Sequence, residues 1–169
     1  MRLIYVSMED CKRTVFPYIH KNLTSNEMAP VYETDTQGMS DLGKILQFVM
    51  NDDYYPTFSD KTSYLLCSLA GAQYFVNGNK RVGVVVLLRF LEINNVHLSA
   101  LTEQQFQTIL SIAFPAHAWE HNRHIRNPHA AFLYNLAIVI GDKARWGTND
   151  FSQLKERVAA LFEHSYFVE

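Results

Sequence analysis

Two apolar segments, residues 65–70 and 82–91, flank the polar run Gln73-Tyr74-Phe75-Val76-Asn77-Gly78-Asn79-Lys80-Arg81. The second segment is apolar nearly all round a helical wheel, with Val82, Val84, Val85, Val86, Leu87, Leu88, Phe90, Leu91 and Ile93. A helix of that kind must be covered on several sides, which demands a bundle around it. Valine runs also suit a buried strand, but the length and the charged flanks favour a helix from Asn79 to about Asn94. The polar run then ends on a helix start. Free N–H groups and the positive end of the helix dipole make such a start an anion site. Gly78 has no Cβ to keep a ligand from the backbone, Lys80 brings a point charge, and Arg81 a planar fork that fits phosphate. The plainer alternative is an Asn-Gly turn followed by two solvated cations. A phosphate site needs residues 78–81 to face a cavity and not to lie sealed beneath other side chains.

The rest of the chain supplies further helices. Leu42, Ile45, Leu46 and Val49 fall at i, i+3, i+4 and i+7, predicting an amphipathic helix after a Ser40 cap. A helix from Ser59 or Asp60 to about Ala72 leads into the polar run. Ser7 with Asp10, and Thr102 with Gln105, read as capping boxes. Pro17 breaks or kinks the first helix. Further apolar helices are expected over 130–140, stopped by Gly141, and after a cap at Asn149 or Asp150. Residues 3–6 suggest a strand, 24–38 a loop, and 96–98 a short extended piece. The expected fold is all-α, a single domain over 1–169, with a buried central helix at 79–94.

The nine residues resemble the signature of the Fic/Doc (death-on-curing) family: His-x-Phe-x-Asp/Glu-Gly/Ala-Asn followed by Lys-Arg in the Doc branch. Phe75, Gly78, Asn79, Lys80 and Arg81 match the Doc form, and the resemblance extends over roughly residues 38–98. It implies a Fic-like helical bundle, with a short β-hairpin flap in 50–58 that aligns a target protein. It implies a toxin-type protein holding ATP, with magnesium, and moving AMP or phosphate to a hydroxyl of that target. Phe75, Gly78, Asn79, Lys80 and Arg81 would be the nucleotide-binding residues. Gln73 stands where the family has its general-base histidine, and an amide does not accept a proton near neutral pH. Asn77 stands where the family's acid holds magnesium; it offers an oxygen without charge. Three readings stay open: nucleotide binding without turnover, a variant reaction with a base from elsewhere, or Gln73 as an engineered change. The alternative function is a non-catalytic interaction or regulatory protein keeping the fold. Some family members carry a C-terminal inhibitory helix, and Ser152 and Glu156 have its Ser-x-x-x-Glu spacing, but Arg157 follows.

Composition narrows the partners. The net charge is −2 over 169 residues, with no broad basic face for nucleic acid, which also disfavours RNA cleavage by the histidines of 117–129. No apolar run reaches the ~18 residues of a membrane span. Cys11 and Cys67 lie far apart in apolar contexts and read as buried free thiols, which fits a reducing, cytoplasmic setting. His117 and His121 are four apart without a third ligand at a matching spacing, so they read as surface or core histidines more readily than as a zinc site. The expected partner is a target protein or an antitoxin-like protein.

Overall fold

The computed structural model describes residues 2–24, 27–142 and 150–168. The chain is mostly helical, as the periodicities require. Ser7 and Asp10 form a reciprocal capping box that opens α1 (Met8–Asp10). The rod then widens into a π-helical turn, Cys11–Val15, and returns to α2 (Phe16–Asn22), with Pro17 in its first turn. Proline has no N–H to donate, and the wider turn before it absorbs the missing bond. Residues 3–6 form no strand. Ile4 is held instead by Asn94, whose amide accepts from the Ile4 N–H (2.9 Å) and donates to its carbonyl (2.8 Å).

Helix α3 (Thr36–Phe48) starts four residues before the expected Ser40, because Asp35 caps it through the Gly38 N–H. Helix α4 (Phe58–Ala70) is opened by Thr57 in a capping box with Asp60. Between them, residues 50–57 form turns with no strand, so the expected β-hairpin flap is absent there. Val49 ends α3, and its carbonyl accepts from the buried Lys61 Nζ (3.0 Å), which also meets Asp52 at 2.8 Å. Asp52 thus sits in a turn anchored by a buried lysine.

Helix α5 (Asn79–Ile93) follows the polar run within a residue of expectation. It is not the most enclosed element. Residues 61–70 of α4 are buried without interruption, Lys61, Thr62 and Ser63 included, whereas α5 leaves Leu88 and Arg89 partly exposed. Both helices line two apolar clusters, one shared with α6 (Glu103–Ala113), α7 (Pro128–Gly141) and α8 (Phe151–Ser165), the other with α1 to α3, but α4 is in addition covered along its length by α8. Small polar side chains let α4 be enclosed because they bond to nearby carbonyls, as Ser63 does to Lys155 (2.7 Å). Gly83 lets α5 approach α4 closely, since a Cβ there would press on the Ala70 backbone. Arg89 pairs with Glu92 (2.8 Å), as its spacing suggests, and with Asp10 (3.2 Å), tying α1 to α5.

Thr102 and Gln105 form the expected capping box at α6. Asn127 caps α7, and the Asp150 side chain accepts from the Ser152 N–H at the start of α8; the competing cap, Asn149, lies outside the described residues. A short antiparallel ribbon joins β1 (Val96–Leu98) to β2 (Tyr166–Val168), with Val96 opposite Val168. Both cysteines are buried free thiols, and burial pushes each up to about 12. No helix among the described residues is long and apolar enough to cross a membrane.

Candidate functional site

The loop before α5 is built by the residues that carry the family resemblance. Asn79 closes it. Its side-chain oxygen accepts from the Phe75 N–H (2.9 Å) and its amide donates to the Phe75 carbonyl (2.8 Å). The three residues between are thereby held in one bend. Gly78 stands at the N-cap with φ of 76°, the left-handed region where glycine is least strained. Phe75 is buried edge-on against Tyr32 (5.0 Å between ring centres) and Phe16 (6.5 Å). Gly38 of α3 makes room for that ring, since a Cβ there would meet Phe75. Each motif residue so far has a task that its side chain, or lack of one, suits. The first-turn N–H groups of α5 keep the positive end of the helix dipole at the loop.

The charged members are placed differently. The Arg81 guanidinium donates to the main-chain carbonyls of Leu23 (2.9 Å), Glu27 (2.8 Å) and Met28 (3.4 Å), and the Glu27 carboxylate stands 4.0 Å away. Its side chain is only 18% exposed. Leu23, Glu27 and Met28 therefore form a strap across the arginine. Tyr32, fully buried, lies over Gly78. Its hydroxyl donates to the Gly78 carbonyl (3.4 Å), a Cβ on Gly78 would meet it, and burial pushes the phenol up to about 12. Lys80 is exposed and lays its chain against Gly141 at the end of α7, where a cation suits the helix dipole. Gln73 is exposed, so the position of the family's base faces solvent.

Asn77 is the polar group left over. Its amide donates to Glu27 (3.3 Å), while its side-chain oxygen is buried without a partner. Buried oxygens are normally satisfied, so this one suits a donor from outside, and it is a single neutral ligand for a hard cation. Among the described residues no group of three or more His, Cys, Asp or Glu is placed to hold a metal ion. Glu27 and Tyr32, which decide access to the loop, were not legible as site residues. They lie in what reads as a plain polar loop, and only Tyr32's size among Thr, Ser and Asn hinted at an anchor.

The clefts described open elsewhere. One, of about 270 Å³, lies between the start of α6, the loop 115–127 and α7; a smaller one, of about 40 Å³, lies beside Trp119. Neither is lined by residues 73–81, so in this conformation residues 78–81 face neither of these clefts, and Tyr32 and the carbonyls of residues 23, 27 and 28 cover Gly78 and Arg81, contrary to what a phosphate site needs. The histidines of these clefts have protein partners: His117 is buried with its Nε2 2.9 Å from the Asn135 side-chain oxygen, and His121 stands 3.3 Å from Glu103. Comparisons with protein-family models, with curated proteins and with solved structures find no match for this chain.

Proposed function

We propose that the chain is a Fic/Doc-like, toxin-type protein whose 75–81 loop receives nucleotide phosphates, with the loop closed by the chain itself in the conformation described. The observation that carries this reading is the double hydrogen bond of Asn79 on Phe75, which preforms a glycine-bearing bend at the start of a buried helix. The carbonyls of residues 23, 27 and 28 occupy the guanidinium donors that phosphate oxygens would take. Hydrogen bonds to a charged group contribute about 1.5–3 kcal/mol each when well shielded. A strap worth about 3 kcal/mol in all would weaken phosphate binding on the order of 100-fold.

The parent reaction that the resemblance implies is transfer of AMP or phosphate from ATP to a target hydroxyl. It needs a base at position 73. An exposed amide there does not supply one, and loss of a general base costs about 10²–10⁴ in rate. ATP brings the transferable group; in this chain the α5 N–H groups and Arg81 would orient its phosphates, and Asn77 would flank any magnesium. Turnover by this sequence is therefore impaired.

A second reading has its own support. The loop opens on no cleft among those described, and Val76 (91% exposed), Met28 (83%) and Val31 (60%) leave apolar side chains bare around it. On that reading the protein keeps the scaffold and acts by binding another protein, a target or an antitoxin-like partner.

Calorimetry with Mg·ATP separates the two. The parent is expected to bind weakly, Glu27→Ala about tenfold more tightly because a carboxylate leaves the loop, and Arg81→Ala not at all. Absence of heat from both the parent and Glu27→Ala removes the nucleotide reading and leaves the second.

A further inference from the structure

The cleft beside loop 115–127 holds uncommitted polar groups of both signs, which the phosphate loop lacks. Its floor is rigid. Asn135 of α7, fully buried, accepts from the Glu120 N–H (2.7 Å) and donates to the Glu120 carbonyl (3.0 Å), fixing the loop at that residue. Glu103, the first residue of α6, is pre-oriented on one wall. One carboxylate oxygen accepts from the Trp119 indole (3.0 Å) and stands 3.3 Å from His121 Nδ1, and the other oxygen is unengaged. Arg123 lines the same cleft. Its Nε donates to His124 (3.2 Å), which leaves both terminal amino groups of the guanidinium unused. Tyr134 also lines the cleft, and Ile125 and Ala131 add apolar surface.

We infer that this cleft binds a small α-amino acid with an apolar side chain. The carboxylate sits on the Arg123 fork, the ammonium on the open oxygen of Glu103, and the side chain against Ile125 and Ala131. The charge pattern selects a zwitterion. A simple anion would face Glu103 and Glu120, and a simple cation would face Arg123, each at a like-charge cost. The volume of about 270 Å³ falls just under the roughly 300–1,000 Å³ of sites for drug-sized molecules, which suits a single amino acid. The preformed Glu103 and Glu120 reduce the ordering cost of binding. None of these groups belongs to residues 73–81, so the inference goes beyond the nucleotide reading and survives its failure.

The test is a ¹H–¹⁵N NMR titration of the full chain with leucine, N-acetyl-leucine, leucine methyl ester and, separately, Mg·ATP. Leucine is expected to shift the Trp119 indole signal and the amides of 120–125 saturably. Both blocked forms are expected to bind at least about tenfold more weakly, and so are Glu103→Gln and Arg123→Met. Arg123 is exposed and holds only His124, so its replacement leaves the fold intact. The inference is overturned if leucine gives no saturable shift, if a blocked form binds as well as leucine, or if Arg123→Met binds as the parent does. Shifts at 73–81 with Mg·ATP report on the other loop alone.

Discussion

The loops 73–79 and 115–127 are solved by the same device and end in opposite states. In each, one asparagine side chain grips the main chain of the bend, Asn79 on Phe75 and Asn135 on Glu120. In each, an arginine stands close by. Arg81 finds three carbonyls of residues 23–28 within reach and is consumed by them, while Arg123 finds only a neighbouring imidazole and keeps its fork free. A cationic residue in a polar loop becomes a ligand group only where no main-chain acceptor reaches it first. That depends on a distant segment, not on the loop's own residues.

Removing the two clamps should separate the loops most strongly. Asn135→Ala removes the amide that holds His117 and the Glu120 main chain, and should cost about 2–5 kcal/mol in urea unfolding. Asn79→Ala frees a half-buried bend and should cost less, about 1–3 kcal/mol. Equal losses would break the comparison, since they would mean that both loops are equally enclosed. Gly78→Ala comes next. The left-handed backbone and the Tyr32 hydroxyl above it should cost about 1–3 kcal/mol, seen as a lower Tm. A loss under about 0.5 kcal/mol would show that Tyr32 moves aside freely and that the loop is not sealed from that side.

The smallest effect is a control outside both loops. The Asp10 carboxyl is held below its usual range, first by the Ser7 hydroxyl and also by Arg89, against the opposing pull of partial burial. A depressed carboxyl stabilises the fold above its unfolded value near 3.9, and that share is lost as pH falls through the folded value. Asp10→Asn should therefore cost less than about 1 kcal/mol at pH 6. The gap between variant and parent Tm should narrow as the pH drops below about 4. A gap that stays constant would assign the effect to the cap geometry alone.

Much of the helical scaffold was legible because its signals are local. Capping pairs such as Thr102 with Gln105, and the i, i+3, i+4 stripe of Leu42 to Val49, are settled within one or two turns. What failed to show in the sequence depends on distant partners. Asp35 outcompetes Ser40 as a cap only because the 3-10 turn Tyr32–Thr34 delivers the chain there. Residues 3–6 pair with an asparagine ninety positions away instead of with a strand. Helix α4 is more enclosed than the more apolar α5, because burial follows what packs on both sides and not hydrophobicity alone. At the site, the Asn79 clamp on Phe75 did not show in the sequence, whereas the Asn77-Gly78 turn was legible from residue type. The fate of Arg81 was not, since the carbonyls that claim it carry no side-chain signature.

The most direct measurement is a crystal structure of the chain, or of Glu27→Ala, grown with Mg·ATP. The account predicts phosphate oxygens at the first-turn N–H groups of α5, with residues 23, 27 and 28 displaced and the Arg81 fork turned onto the nucleotide. Density for residues 23, 27 and 28 unmoved over Arg81, at nucleotide concentrations well above any measured Kd, would contradict it.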